Sequence, residues 1–237
     1  MTDQQSIQIN NLNANMGAAL GPSSSQLNTE DSWLLAMGLD ESGSMGMLQT
    51  ALIDEMNIQS HAIANSDAGD SMLMSLYTFN ETLRRRYAFK AMADVPILTP
   101  ADYIPGGGTA LVDALDKIIT EAVDYRSYLL KAGQTSVRVI VTLLTDGQEN
   151  QSRIARSTVA SKVAALIKTE MWSFNLIGLG DPRDFNKVAQ ELNIPSVLTV
   201  GKNEHDLRLA LGLHSKGAQN AHSSQTSPQA NYFTQIP

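Results

Sequence analysis

Three short stretches carry oxygen-bearing side chains at points where the chain must turn. Asp40-Glu41-Ser42-Gly43-Ser44 follows directly on the apolar run 33–39. Pro105-Gly106-Gly107-Gly108-Thr109 is a glycine loop that delivers a hydroxyl to the start of a helical pattern. A second apolar run, 137–145, ends at Asp146-Gly147. A strand that ends in an acid and two alternately spaced hydroxyls offers hard oxygen ligands at its carboxyl end. Oxygen ligands without sulfur or imidazole select a hard ion, Mg2+ or Mn2+ before Ca2+. Only two carboxylates, Asp40 and Asp146, would serve such an ion. It would keep net positive character and an open coordination position, which a carboxylate from a partner protein would fill. That is recognition chemistry and requires no bond to be broken.

The elements that must position these loops follow from periodicity. Short continuous apolar runs at 33–39, 71–79, 136–145, 172–179 and 196–200 read as strands covered on both faces. Residues 83–89 follow Asn80-Glu81-Thr82 after a hairpin-length gap, so they predict an antiparallel edge strand. Helical spacing predicts helices over 45–65, 109–130, 157–170, 182–192 and 204–214. The fourth of these is opened by Asp181 as N-cap, with Pro182 at the first helical position. The alternation implies an α/β, Rossmann-like doubly wound fold: a mostly parallel six-stranded sheet with one antiparallel edge strand and helices on both faces. In the common strand order 3-2-1-4-5-6, the first and fourth strands flank the point where the order reverses, and ligands sit beyond the carboxyl ends there. Asp40 and Asp146 end those two strands, and Thr109 opens the helix leading into the second. Topology converges the three motifs.

The 237 residues suit one domain of intermediate size with tails, residues 32–214 forming the domain. Residues 1–31 are a polar tail expected to be disordered. Residues 215–237 form a second polar tail, disordered or partner-docked, in which the Tyr232-Phe233 pair supplies aromatic anchors. A formal charge of −7 and a pI near 5.0 argue against a nucleic-acid partner. The basic triplet Arg84-Arg85-Arg86 reads as a charged edge discouraging sheet association, ahead of an anion patch. With no cysteine, disulfides, thiolate nucleophiles and zinc–sulfur sites are excluded. No apolar run approaches the roughly 18 to 20 residues that span a bilayer, and the first residues lack the basic start and apolar core of a secretory signal. The expectation is a cytoplasmic protein without a membrane partner.

Taken singly, each motif has an ordinary reading: Asp40, Asp146 and Thr109 as helix caps, Ser42 and Ser44 as turn formers. Together, Asp40-x-Ser42-x-Ser44, Thr109 after glycines and Asp146 in Leu-Thr-Asp-Gly resemble the von Willebrand factor A (vWA) family over residues 33 to about 214. In that family these five positions form the metal-ion-dependent adhesion site. The resemblance implies that Asp40, Ser42 and Ser44 hold a cation, preferentially Mg2+, directly or through water. Thr109 would ligate in the partner-engaged state, and Asp146 mostly through water. It also implies a non-catalytic protein-binding role, with an ATPase or stress-response complex as the class of partner.

Of the neighbouring acids, Glu41 alternates away from the ligand side. Asp113 lies one helical turn beyond Thr109, where a place behind the ligands is open to it, but both read first as solvated acids. Glu149 and Asn150 read as an ordinary rim loop. Gly178-Leu179-Gly180-Asp181 lacks the third glycine of a dinucleotide loop. His61, His205, His214 and His222 fall away from the acidic strand ends in this topology, His61 on a helix face and His222 in the tail. Two other functions compete with binding. One is a metal-assisted phosphoester or ester hydrolase using Asp40 as nucleophile or ligand, which lacks an evident general base and a phosphate-binding lysine. The other is a structural subunit laced together by its polar arms.

Overall fold

The computed structural model describes residues 31–147, 151–224 and 232–233. Six strands form one sheet: β1 (Asp31–Asp40), β2 (Met72–Phe79), β3 (Leu83–Ala91), β4 (Ser136–Thr145), β5 (Trp172–Leu179) and β6 (Ser196–Val200). Their order is β3-β2-β1-β4-β5-β6, every pair parallel except β2 with β3. The helices are α1 (Gln49–Ala64), α2 (Leu111–Lys131), α3 (Arg156–Ile167), α4 (Pro182–Glu191) and α5 (Glu204–Ser224). A 3-10 turn, Gly43–Leu48, precedes α1.

The strand sequences explain the layers. β1, β2 and β5 are apolar along almost their whole length because both faces are covered. Leu35, Met37 and Leu39 of β1 face a core shared with α1 and α5, through Leu52, Met56, Leu207 and Leu211. Leu34 and Ala36 face the opposite core, shared with α2, α3 and α4 through Leu115, Ile118, Val163 and Phe185. β3 is exposed or half-buried along much of its length, with only Tyr87 and Phe89 buried, as an edge strand is. Asp181 caps α4 as expected, its carboxylate accepting from the Arg183 amide at 2.9 Å.

Gly178 belongs to packing and not to phosphate binding. A Cβ there would lie 2.2 Å from the Phe185 ring of α4. Gly178→Ala is therefore expected to destabilise the chain by about 3 kcal/mol, the upper part of the range for overpacking a core. Urea denaturation measures this, and Phe185→Leu in the same chain should recover part of the loss.

Several element boundaries differ from expectation: α1 starts at Gln49 after the 3-10 turn and not at 45, α3 ends at Ile167 and not at 170, and β3 runs on to Ala91. α2 starts two residues after Thr109, with Ala110 as its N-cap residue. α5 continues ten residues past His214, so the domain limit read at 214 falls inside a helix. The hydroxyl of Tyr232 donates to the carbonyl of His214 at 2.8 Å, and its ring occupies the space beside Gly217, where a Cβ would be 2.7 Å from it. The aromatic pair thus docks on this chain's own last helix. Residues 1–30 and most of 225–237 lie outside the described residues, as do Glu149 and Asn150.

Candidate metal centre

β1 and β4 run in register, Leu39 opposite Leu144, so Asp40 and Thr145 come level at the carboxyl edge where the strand order reverses. Asp40 is fully buried. Its Oδ1 accepts from the Ser42 amide at 2.8 Å, and its Oδ2 accepts from the Thr145 hydroxyl at 2.5 Å. The Ser42 and Ser44 hydroxyls lie 3.1 Å apart, and Ser44 donates onward to Asp146 Oδ1 at 2.7 Å. Asp40, Ser42, Ser44 and Asp146 are therefore linked across two strand ends, through the Ser42 amide and the two serine hydroxyls.

Thr109 completes the set. A Cβ on Gly147 would lie 3.3 Å from the Thr109 hydroxyl and 3.9 Å from Asp40 Oδ2, which places both oxygens around the same point of the Asp146-Gly147 turn. Thr109 itself is nearly buried. The glycine loop reaches this position by backbone contacts. Gly106 donates its amide to the Glu41 carbonyl at 2.8 Å, and the Gly43 amide donates to the Gly107 carbonyl at 3.1 Å. Gly107 has φ of +75°, a left-handed conformation that favours glycine. The five residues expected at the site are brought together.

Part of the simpler reading holds, since Asp40 accepts from the amide two residues on and Ser42 and Ser44 lie at a 3-10 turn. Ser42 flanks the 3-10 turn without a side-chain cap bond. The N-terminus of α2 is capped from elsewhere, the Ser152 hydroxyl accepting from the amides of Val112 at 3.0 Å and Asp113 at 3.1 Å.

The electrostatics favour a cation. Burial pushes the Asp40 carboxyl above its ordinary range. Hydrogen bonds from Thr145 and Ser42 oppose that shift, and the nearby charge of Asp146 adds to it. Two converging carboxylates, both with side chains shielded from solvent, are a poor arrangement unless positive charge joins them. The hard, all-oxygen donor set fits a small divalent ion. Among the described residues, no group of three or more His, Asp and Glu side chains gathers to hold a metal, and this centre has two carboxylates.

Two neighbouring acids differ from expectation, because neither is simply solvated. Glu41 is fully buried and paired with Arg86 at 2.8 Å and Arg84 at 3.0 Å. The basic triplet is thus a clamp: alternation puts Arg84 and Arg86 on one face and sends Arg85 to Glu121 on the other, at 3.1 Å. Asp113 accepts from the Arg153 and Ile154 amides, at 3.0 and 2.9 Å, and so pins the segment after Asp146 to α2. His222 belongs to α5, with Nε2 2.7 Å from the Ser71 hydroxyl at the amino end of β2, far from a strand carboxyl end.

Sequence reasoning missed three groups. Thr145 anchors Asp40. The Tyr103 hydroxyl donates to the Asp40 carbonyl. Lys202, in the loop between β6 and α5, sets its ammonium 2.5 Å from Asp146 Oδ2. Thr145 adjoins Asp146 and was open to inspection, whereas Tyr103 and Lys202 reach the site only through tertiary structure.

No protein-family model matches the sequence, and no curated protein matches it significantly. Solved structures do match. Proximal thread matrix protein 1 from the mussel byssus superposes with a TM-score of 0.57, over 80% of this chain and 46% of that one, at 19% identity. The ArnB paralog VWA2 from Sulfolobus acidocaldarius gives 0.52 over 78% and 45%, at 15% identity. The SpRpn10 VWA domain gives 0.50 over 77% and 94%, at 12% identity. The chain has the von Willebrand A fold. It spans under half the length of the first two of these structures and nearly all of the third. At such identities the likeness speaks for the vWA fold, and the case for a site rests on the residues of this chain.

Proposed function

We propose that this vWA domain is a non-catalytic, metal-dependent protein-binding module that presents Mg2+ to a carboxylate of a partner protein. Asp40, Ser42 and Ser44 would hold the ion, with Asp146 acting through water and Thr109 joining when a partner is engaged. A bound divalent cation would supply one electrophilic position directed outward. The observation that carries this reading is the run of polar contacts from the Thr145 hydroxyl to Asp40, from Asp40 to the Ser42 amide, and through the Ser42 and Ser44 hydroxyls to Asp146, at the reversal point of the sheet. The surroundings suit a protein ligand. The turn bearing Ser44 also bears Met47, 82% exposed, and Ile104, 62% exposed, lies just ahead of the glycine loop. A carboxylate flanked by apolar side chains would match both the ion and this rim.

Calorimetric titration of the full chain with Mg2+ and Mn2+ tests the site. Asp40→Ala is expected to weaken binding at least a hundredfold, with the circular dichroism of the fold retained. Unchanged affinity in that variant would refute the reading. Capture of a partner in the presence of Mg2+, and its release by chelator, would then test the recognition role.

A further inference from the structure

One charged group at the centre has no part in the ligand set. Lys202 places its Nζ 2.5 Å from Asp146 Oδ2, while Asp146 Oδ1 takes the Ser44 hydroxyl at 2.7 Å. The Asp146 side chain has no solvent exposure, whereas that of Lys202 is one-third exposed. The lysine therefore reaches from the rim down to a buried carboxylate.

Its root is fixed. The Asn203 carbonyl accepts from the Leu207 amide at 3.0 Å, and the Asn203 and Asp206 side chains close the first turn of α5 on each other at 2.9 Å. Gly201 turns so tightly that a Cβ would lie 2.3 Å from Asp206 Oδ2. On the other side, the Gly180 amide holds the Val200 carbonyl at 2.9 Å. The ammonium is thus tethered beside the strand ends by a well-braced loop. Arg84 and Arg86 are engaged with Glu41.

We propose that Lys202 is a built-in monovalent cation that competes with the divalent ion for Asp146 and so sets the affinity of the centre. In the metal-free chain, the ammonium supplies the positive charge that two converging carboxylates require. A divalent ion near Asp146 then meets a like charge at short range and must displace it or tolerate it, which weakens its binding. The competition is reciprocal. Metal loading frees Lys202, and anything that draws Lys202 outward, such as an acidic group of a partner, favours metal loading. The inference deepens the proposed function and rests on it. It adds a regulator of the same centre, and it makes partner binding and metal binding cooperative through one side chain.

The test is calorimetric titration of Mg2+ and Mn2+ into the full chain carrying Lys202→Gln or Lys202→Arg, beside the wild type. Lys202→Gln is expected to bind Mg2+ roughly tenfold more tightly, within the usual range for coupled sites. Lys202→Arg, which keeps the charge, should stay near wild-type affinity. In chelator, Lys202→Gln should melt below the wild type, with the gap closing in saturating Mg2+. Equal or weaker binding by Lys202→Gln would overturn the inference and leave the metal reading intact. Tighter binding by both variants would also overturn it, because charge would then not be the cause. Absence of Mg2+ and Mn2+ binding by all three chains would remove the metal reading itself, and the inference with it.

Discussion

Glu41→Gln is expected to lower the unfolding free energy by about 3 kcal/mol and to weaken Mg2+ binding, although the Glu41 carboxylate is bonded to Arg84, Arg86 and the Ile104 amide and to none of the proposed ligands. Its carboxylate is fully buried. Oε1 accepts from Arg86 at 2.8 Å and from the Ile104 amide at 2.5 Å, and Oε2 accepts from Arg84 at 3.0 Å. Removing one side of a buried ion pair costs about 3 to 5 kcal/mol, because the remaining charge is stranded. The lower end applies here, since the Arg84 side chain is 49% exposed and can be rehydrated. The same residue ties loops together through its backbone, its amide donating to the Phe79 carbonyl and its carbonyl accepting from Gly106. Loosening it loosens the loop that delivers Thr109. Urea denaturation and calorimetry would read both effects. The double variant Glu41→Gln/Arg86→Met should lose less than the sum of its parts, because the stranded charge is gone. Wild-type stability in Glu41→Gln would show that the clamp holds nothing.

The sheet was legible because its strands are short, apolar and covered on both faces, a pattern that needs no tertiary knowledge to recognise. Runs 136–145, 172–179 and 196–200 agree with β4, β5 and β6 at both ends, and the strand order is the common one for a sheet that alternates with helices. The end of α5 was not legible. Ser215 to Ser224 is small and polar, and its helix propensity is weak. What accompanies the helix there is long-range. His222 meets Ser71 and packs edge-on to Trp33, and Tyr232 fills the gap over Gly217. Local propensity lost to contacts whose partners lie far away in the chain.

The five oxygen residues could be read because each stands at the end or start of an element, and topology alone gathers such points. Their supports could not be read so easily. Arg84 and Arg86 shared a face by simple alternation, yet a buried acid to receive them was visible only once Glu41 was placed at the end of β1, two strands away. Lys202 follows a glycine after the last strand, a position that looks like an ordinary surface loop. Its role depends on side-chain length and on β6 lying two strands from β4, so that only a long, flexible cation spans the gap. Ligands are set by sequence order, and the groups that tune them are set by distance.

Acidification from pH 6.5 to about 4 is expected to cost the chain about 3 kcal/mol of stability through one residue, His214. Its ring is fully buried in the core, with Nε2 2.8 Å from the Thr142 hydroxyl, and Asn175 donates to that same hydroxyl at 3.3 Å. Burial alone pushes its pKa down, from 6.5 to about 4. Between these values the unfolded chain binds a proton that the folded chain refuses, so stability rises with pH across the interval. The contribution is therefore complete above about pH 6.5 and is lost as pH falls toward 4. The interval corresponds to about 3 kcal/mol. His222, also lowered by burial, adds in the same direction, with Asp67 opposing. Asp40 acts in the opposite sense, because its raised pKa makes protonation easier in the folded chain than in the unfolded one. The variant that isolates the effect is His214→Gln, a neutral side chain able to bond Thr142. Its stability in chelator, measured by urea denaturation at pH 7.5, 6 and 5, should change less with pH than that of the wild type. Since the His214 carbonyl also receives Tyr232, the wild type should lose protection of the 214–224 backbone amides from hydrogen exchange at the acid end of this range. Parallel pH profiles for the two chains would exclude His214 as the group responsible.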